Sequence, residues 1–142
     1  MTFGHDTTTD EVLDGIDLSG RRALVTGASS GLGTETVRAL AAKGCAVTFT
    51  ARDLDKGRAV VDQVRASTGN DDVEMMSLEL ASLADVRRFA DEYLARHSQM
   101  DMLINNAGIM ACPQGTTQDG FELQFGTNHL GHFLMTVLIA PA

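Results

Sequence analysis

The chain has 142 residues, 44% of them hydrophobic and 21% charged, with a formal net charge of -8, the make-up of one globular domain. The acidic balance argues against nucleic acid and against an anionic membrane surface as main partners, since both are bound by clustered Lys and Arg. The two cysteines, Cys45 and Cys112, form no Cys-x-x-Cys pair. With no disulfide framework and no basic start leading into an apolar segment, a cytoplasmic location is expected. The apolar run from Phe133 to Ala140 is too short to span a bilayer.

Met1 to Leu18 is polar and acidic and reads as a loose leader (1–18), with the folded domain over 19–142. Ala23-Leu24-Val25 is a short strand ended by the Thr26-Gly27 turn. Thr34 to Lys43 has helical spacing at Val37, Leu40 and Ala41, and Gly44 closes it. Cys45 to Ala51 is an apolar, β-branched second strand. Leu54 to Ser67 places Val60, Val61 and Val64 on one helical face. Val73 to Leu78 is a third strand. Ser82 reads as an N-cap, with Asp85 three residues on, for a helix lined by Val86, Phe89, Tyr93 and Leu94. Met102-Leu103-Ile104 is a fourth strand ended by Asn105-Asn106-Ala107-Gly108. A loop over Ala111 to Thr117 leads to a long apolar helix from Asp119 through Leu138, ended by Pro141. The alternation predicts an α/β fold: a Rossmann-like, doubly wound parallel sheet of strand order 3-2-1-4.

Thr26-Gly27-Ala28-Ser29-Ser30-Gly31-Leu32-Gly33 follows the first strand and opens a helix. There, unpaired backbone N–H groups and the helix dipole favour a pyrophosphate. Gly27 permits the tight turn, Gly31 a close approach of backbone to phosphate, and Gly33 close packing of helix on sheet, while Ser29 and Ser30 can add hydroxyl donors. The spacing Gly-x-x-x-Gly-x-Gly after Thr26 resembles the short-chain dehydrogenase/reductase family. The resemblance runs from Ser19 to Pro141. It takes in Asn105-Asn106-Ala107-Gly108 and the stretch Asp119 to Phe133, which is similar to the retinol-dehydrogenase-like branch. It implies strands one to four of the family's seven, hence an incomplete sheet. It also implies cofactor-binding roles for Thr26, Gly27, Ser29, Ser30, Gly31, Leu32, Gly33, Asn106, Ala107 and Gly108.

The residue ending strand two selects the nicotinamide cofactor. An acidic group there would accept from the adenosine ribose and repel a 2′-phosphate. That residue is the neutral Ala51, and Arg52 follows with a guanidinium suited to a phosphate. NADP(H) is therefore favoured, with NAD(H) as the alternative should Asp53 face the ribose rather than cap the next helix. Where the family has an Asp near the adenine, this chain has Leu78-Glu79-Leu80. Glu79 would accept from the adenine amino group, with Leu80 beside it.

The resemblance implies acid–base catalysis by a Tyr whose pKa is lowered by a Lys a few residues on, with a Ser and a helix Asn in support. The sequence has one tyrosine. Tyr93 lies on the apolar face of a helix, with His97 rather than Lys four residues later, and reads as core. No Tyr-x-x-x-Lys occurs before the sequence ends at Ala142. Of the family's catalytic set, Asn128 alone is expected here. His129 and His132, at i and i+3, lack a third ligand of suitable spacing, so no metal site is expected.

The fourth strand would present an open edge, and Phe121, Leu123, Phe125, Leu130, Phe133, Leu134, Met135, Val137, Leu138 and Ile139 make more apolar surface than one half-covered helix can hide. Self-association through that edge is expected unless further sequence covers it. Three readings stay open: the cofactor-binding part of an oxidoreductase acting on a small molecule, for which the resemblance implies a hydrophobic alcohol or ketone; a non-catalytic nucleotide-binding module; and a fragment stable only when associated.

Overall fold

The computed structural model describes residues 3–140. Pro141, expected to end the last helix, and the first two residues of the leader lie outside them. Four parallel strands, β1 (Arg22–Val25), β2 (Ala46–Ala51), β3 (Val73–Ser77) and β4 (Met102–Ile104), form one sheet in the order β3-β2-β1-β4. Leu24 pairs with Thr48 on one side and Leu103 on the other. This is the Rossmann-like arrangement expected from the alternation, in partial form.

Side chains alternate across the sheet. Ala23, Val25, Val47 and Phe49 enter one core together with Val37 and Leu40 of α2 (Gly31–Ala42) and Val60 and Val64 of α3 (Leu54–Thr68). Leu24 and Met76 enter a second core with Val86, Phe89 and Tyr93 of α4 (Leu83–Arg96) and with Met135 and Ile139 of α6 (His132–Ile139). Leu94, expected on the buried face of α4, stays exposed. Caps set the helix starts. Asp53 accepts from the N–H groups of Asp55 and Lys56 at the head of α3, and Ser82 accepts from the N–H of Asp85 in α4. Opposite the site, Asp101 closes the sheet by accepting from Arg21 Nη1 at 2.7 Å and from the Arg22 N–H at 2.8 Å.

Two stretches differ from the sequence reading. Within 1–18, a helical turn, α1 (Thr9–Val12), is closed by a capping box between Thr8 and Glu11. It docks on α2 where Arg38 donates to Glu35 and Asp10, and Thr9 donates to Glu35. Arg38 and Thr9 together hold the Glu35 carboxyl down at about 2. The long helix expected from Asp119 instead starts at Leu123. Its approach is folded into a tight turn, in which Thr117 N–H donates to Phe121 O and Gly120 N–H to Thr117 O. Gly120 takes a φ of 83° there, outside the helical region. From Leu123 the helix is not uniform: α5 (Leu123–Phe125) runs into a π-helical segment (Gly126–Gly131) and then α6. Such segments carry one extra residue per turn and recur at functional sites.

Candidate functional site

The four strands point their C-terminal ends at one cleft of about 920 Å³. Its floor is the turn between β1 and α2. Gly27 turns at φ 66°, and a Cβ there would lie 2.6 Å from Ala107 Cβ. A Cβ on Gly33 would lie 2.6 Å from both Gly27 O and Asn106 Nδ2. Neither position accepts a side chain without moving backbone. Ser30 is the N-cap of α2, and its hydroxyl bonds to none of the helix's N–H groups. The head of α2 thus keeps its donors and positive dipole end free for an anion.

The polar wiring under the turn is dense. Thr26 is fully buried, and its Oγ1 accepts from the N–H groups of Asn106 and Ala107, both at 3.0 Å. Asn106 Nδ2 donates to Thr26 O at 2.9 Å and Gly27 O at 3.1 Å. The strand-four turn is therefore bound to the glycine-rich turn by side chain and main chain alike. Thr26 does not face the cleft; it acts on the protein's own backbone. Gly31 also contributes no wall and supplies a φ of 61° at the first residue of α2.

The walls carry the remaining expected residues. Ser29, Ser30, Leu32, Arg52, Glu79, Leu80, Asn106, Ala107 and Gly108 all line the cleft. Arg52 is 65% exposed, with its Nη1 3.9 Å from a Glu79 carboxylate oxygen. The other oxygen of Glu79 accepts from the Ala81 N–H at 3.0 Å. Asp85 secures this loop by accepting from the Glu79 N–H at 2.7 Å. Burial pushes the Asp85 carboxyl up, but Arg88 and that N–H outweigh it and hold it below its ordinary range. Asp53 spends its carboxylate on the head of α3, and the Lys56 N–H leads the contacts that keep it ionised.

Lys56 lines the cleft as well, and sequence reasoning missed it. It stands three residues beyond Asp53 in the first turn of α3, so the cap itself was the available signal. Ile109 and Thr127 are further lining residues not anticipated.

Asn128 sits on the π-helical segment and is tied to the loop after β4. Its Oδ1 accepts from the Ile109 N–H at 2.9 Å and its Nδ2 donates to Ile109 O at 2.8 Å. His129 and His132 do not converge. His129 is exposed and stacks between Phe125 and Phe133, whereas His132 is buried against Thr26. Burial pushes the His132 pKa down, against the opposing effect of the Asn128 carbonyl. Tyr93 lies in the second core with an unpartnered hydroxyl, and burial pushes its pKa up to about 12. It offers no acid–base group to the cleft.

A doubly wound sheet with a glycine-rich turn, an open helix N-terminus and an Asn-Asn-Ala-Gly turn at the fourth strand defines a class, and the sequence family agrees. Residues 21–142 match the short chain dehydrogenase family, and the chain belongs to it. Among curated relatives, mouse retinol dehydrogenase 11 is 46% identical over 124 residues, which are 87% of this chain and 39% of that protein. Mouse polyprenol dehydrogenase is 46% identical over 123 residues, 87% of this chain and 37% of that protein. The chain thus spans about two fifths of the length of these relatives. Among solved structures, an uncharacterized Mycobacterium paratuberculosis protein superposes with a TM-score of 0.77 at 47% identity, covering 88% of this chain and 43% of the other. A metagenomic short-chain oxidoreductase in complex with NADP superposes with a TM-score of 0.76 at 33% identity, covering 87% and 57%.

Proposed function

We propose that this chain is the dinucleotide-binding part of an oxidoreductase that moves hydride between NADP(H) and an alcohol or carbonyl compound, with residues 19–142 as the binding unit. The observation that carries the reading is the open N-terminus of α2 at the floor of a cleft flanked by Arg52 and Lys56. The turn residues, with the Ser29 and Ser30 hydroxyls, would hold the diphosphate. Glu79 and Leu80 would flank the adenine, and Asn106, Ala107 and Gly108 would line the path toward the nicotinamide. When bound, the nicotinamide supplies or accepts the hydride.

NADP(H) is preferred over NAD(H) on three grounds. Ala51 ends β2 without a carboxylate, Asp53 is occupied as a helix cap, and Arg52 and Lys56 line the cleft as cations able to pair with a 2′-phosphate. The relative solved with NADP supports this preference. Asn128 is assigned the supporting role of the family's helix asparagine. A hydrophobic alcohol or ketone as substrate is supported by relatives named for retinol and polyprenol. A cytoplasmic location rests on the cysteine pattern; separately, no helix among the described residues is long and apolar enough to cross a membrane. Association through the open β4 edge is supported by the exposed Phe125, Phe133 and Val137 on the neighbouring helix. The absence of a Tyr-x-x-x-Lys pattern favours a second reading for this chain taken alone, a nucleotide-binding module without turnover.

Fluorescence titration with NADPH and NADH tests the assignment. Gly31→Val forces a β-branched residue to a positive φ and puts a side chain at the helix head. The expected outcome is loss of NADPH binding with an unchanged far-ultraviolet circular dichroism spectrum. Undiminished binding by this variant would remove the phosphate cradle. Arg52→Asp is expected to weaken NADPH relative to NADH by roughly tenfold to a hundredfold, the worth of one charged hydrogen bond. An unchanged preference would remove the cofactor assignment.

A further inference from the structure

We propose that His132 is a positioning residue that couples the dinucleotide turn to Asn128, acting as a neutral imidazole that carries its proton on Nδ1. The inference rests on the reading of the cleft and of Asn128 given above, and adds to it a residue without an assigned role.

The argument begins with the Thr26 hydroxyl, which has one proton to donate and two lone pairs. Both lone pairs are taken, by the N–H groups of Asn106 and Ala107. The remaining contact of Oγ1 is His132 Nε2 at 2.8 Å. The hydroxyl proton must point there, so Nε2 accepts. The proton of the neutral ring then resides on Nδ1, which lies 2.9 Å from the Asn128 carbonyl oxygen and donates to it. No other neutral arrangement satisfies all four groups. An imidazolium would aim a second proton at an oxygen with no free lone pair, in a site where the residue is 6% exposed.

The ring meets Thr26 from β1 and Asn128 from its own helix, and through Thr26 it is linked to Asn106 and Ala107 of the strand-four turn. None of these groups is ionisable, and among the described residues no carboxylate bonds to the ring. Asn128 in turn grips Ile109 with both atoms of its side-chain amide. The loop from Asn106 to Ile109 is therefore held at its start by the Thr26 hydroxyl and at its end by Asn128, and His132 joins the two holders. The π-helical segment Gly126–Gly131 carries Asn128 and ends just ahead of His132.

Two measurements on the full chain decide the matter. Long-range proton–nitrogen correlation spectra of 15N-histidine-labelled protein are expected to show one of the four histidines as the Nδ1–H tautomer at neutral pH, and to lose that signature in Thr26→Val. An Nε2–H tautomer for His132, or a ring already protonated at neutral pH, overturns the proposal. NADPH titration then separates positioning from packing. His132→Phe fills the space and makes neither bond. His132→Asn keeps a donor at the level of Nδ1 for the Asn128 carbonyl. We expect His132→Phe to raise the NADPH dissociation constant roughly tenfold, about the worth of one hydrogen bond, with partial recovery in His132→Asn. Equal weakening in both variants, or none in either, overturns the positioning role. A wild-type chain that has the Nδ1–H tautomer but binds no NADPH overturns the reading of the cleft and the role of His132 with it. NADPH binding combined with the Nε2–H tautomer overturns the present inference alone.

Discussion

The glycine-rich turn and the helical stretch over 123–139 lie side by side, yet they solve different problems. Around the turn the buried polar groups are matched: Thr26, Asn106, Ala107 and His132 exchange bonds until each has a partner. The helical stretch matches only its inner face, where Met135 and Ile139 are fully buried. Its outer face leaves Phe125 53%, Phe133 62% and Val137 55% exposed. The bonds among these four residues fix the geometry of the turn and spare them the cost of unpaired burial. An apolar face left in water has no such internal partner and is the surface an additional covering element or chain would meet.

The sharpest way to break this contrast is Thr26→Val. It would strand the Ala107 N–H, leave the Asn106 N–H only the Ile104 carbonyl at 3.0 Å, and strand His132 Nε2 by removing the proton given to it. Urea unfolding should register a loss of roughly 2–5 kcal/mol, built from penalties of about 1–3 kcal/mol per stranded group. A loss below about 1 kcal/mol would mean that the turn is not held from beneath.

Acid should act at the same place with smaller effect. Burial lowers the folded-state pKa of His132 below its ordinary 6.5. The unfolded chain therefore takes up that proton more readily. The stability it confers is full above about pH 6.5 and declines as the pH falls below that value. Melting temperatures at pH 7.5 and 5.5 should fall further for the wild type than for His132→Asn, which cannot titrate. Parallel losses in the two proteins would place the acid sensitivity elsewhere.

Asp53→Ala sharpens the comparison at the cleft wall, because it removes a cap and leaves Lys56 without the carboxylate 3.5 Å away. A stability loss of about 1 kcal/mol is expected, together with tighter NADPH binding from the less compensated cation. Weaker binding would assign the carboxylate to the ligand rather than to the helix. The smallest change in stability is expected on the outer face. Phe133→Ser should alter unfolding by less than about 0.5 kcal/mol while reducing association measured by sedimentation velocity. Unchanged association would leave the β4 edge, without the aromatic face, as the contact.

Much of this was legible beforehand because its signals are local. Strand β1, the turn after it and the Asp53 and Ser82 caps lie within a few residues of the pattern that announces them, and the alternation of elements dictates the strand order. The start of the last helix was misplaced. Apolar content from Asp119 onward suits a helix, but Thr117 and Gly120 close a turn first. Lys56 went unnoticed because a capping motif explains its neighbourhood without reference to a ligand.

By itself, then, the amino-acid order determined a parallel sheet, a glycine-rich turn at the head of α2 and a neutral end to β2, since each follows from short-range periodicity or from residue type at one position. Tertiary structure alone decided that Thr26 turns away from the cleft, that the helix is widened around Asn128, and that His132 meets a hydroxyl 106 residues earlier in the chain. Hydrogen bonds between such distant partners leave no periodic trace, because their geometry exists only once the helix has packed against the sheet.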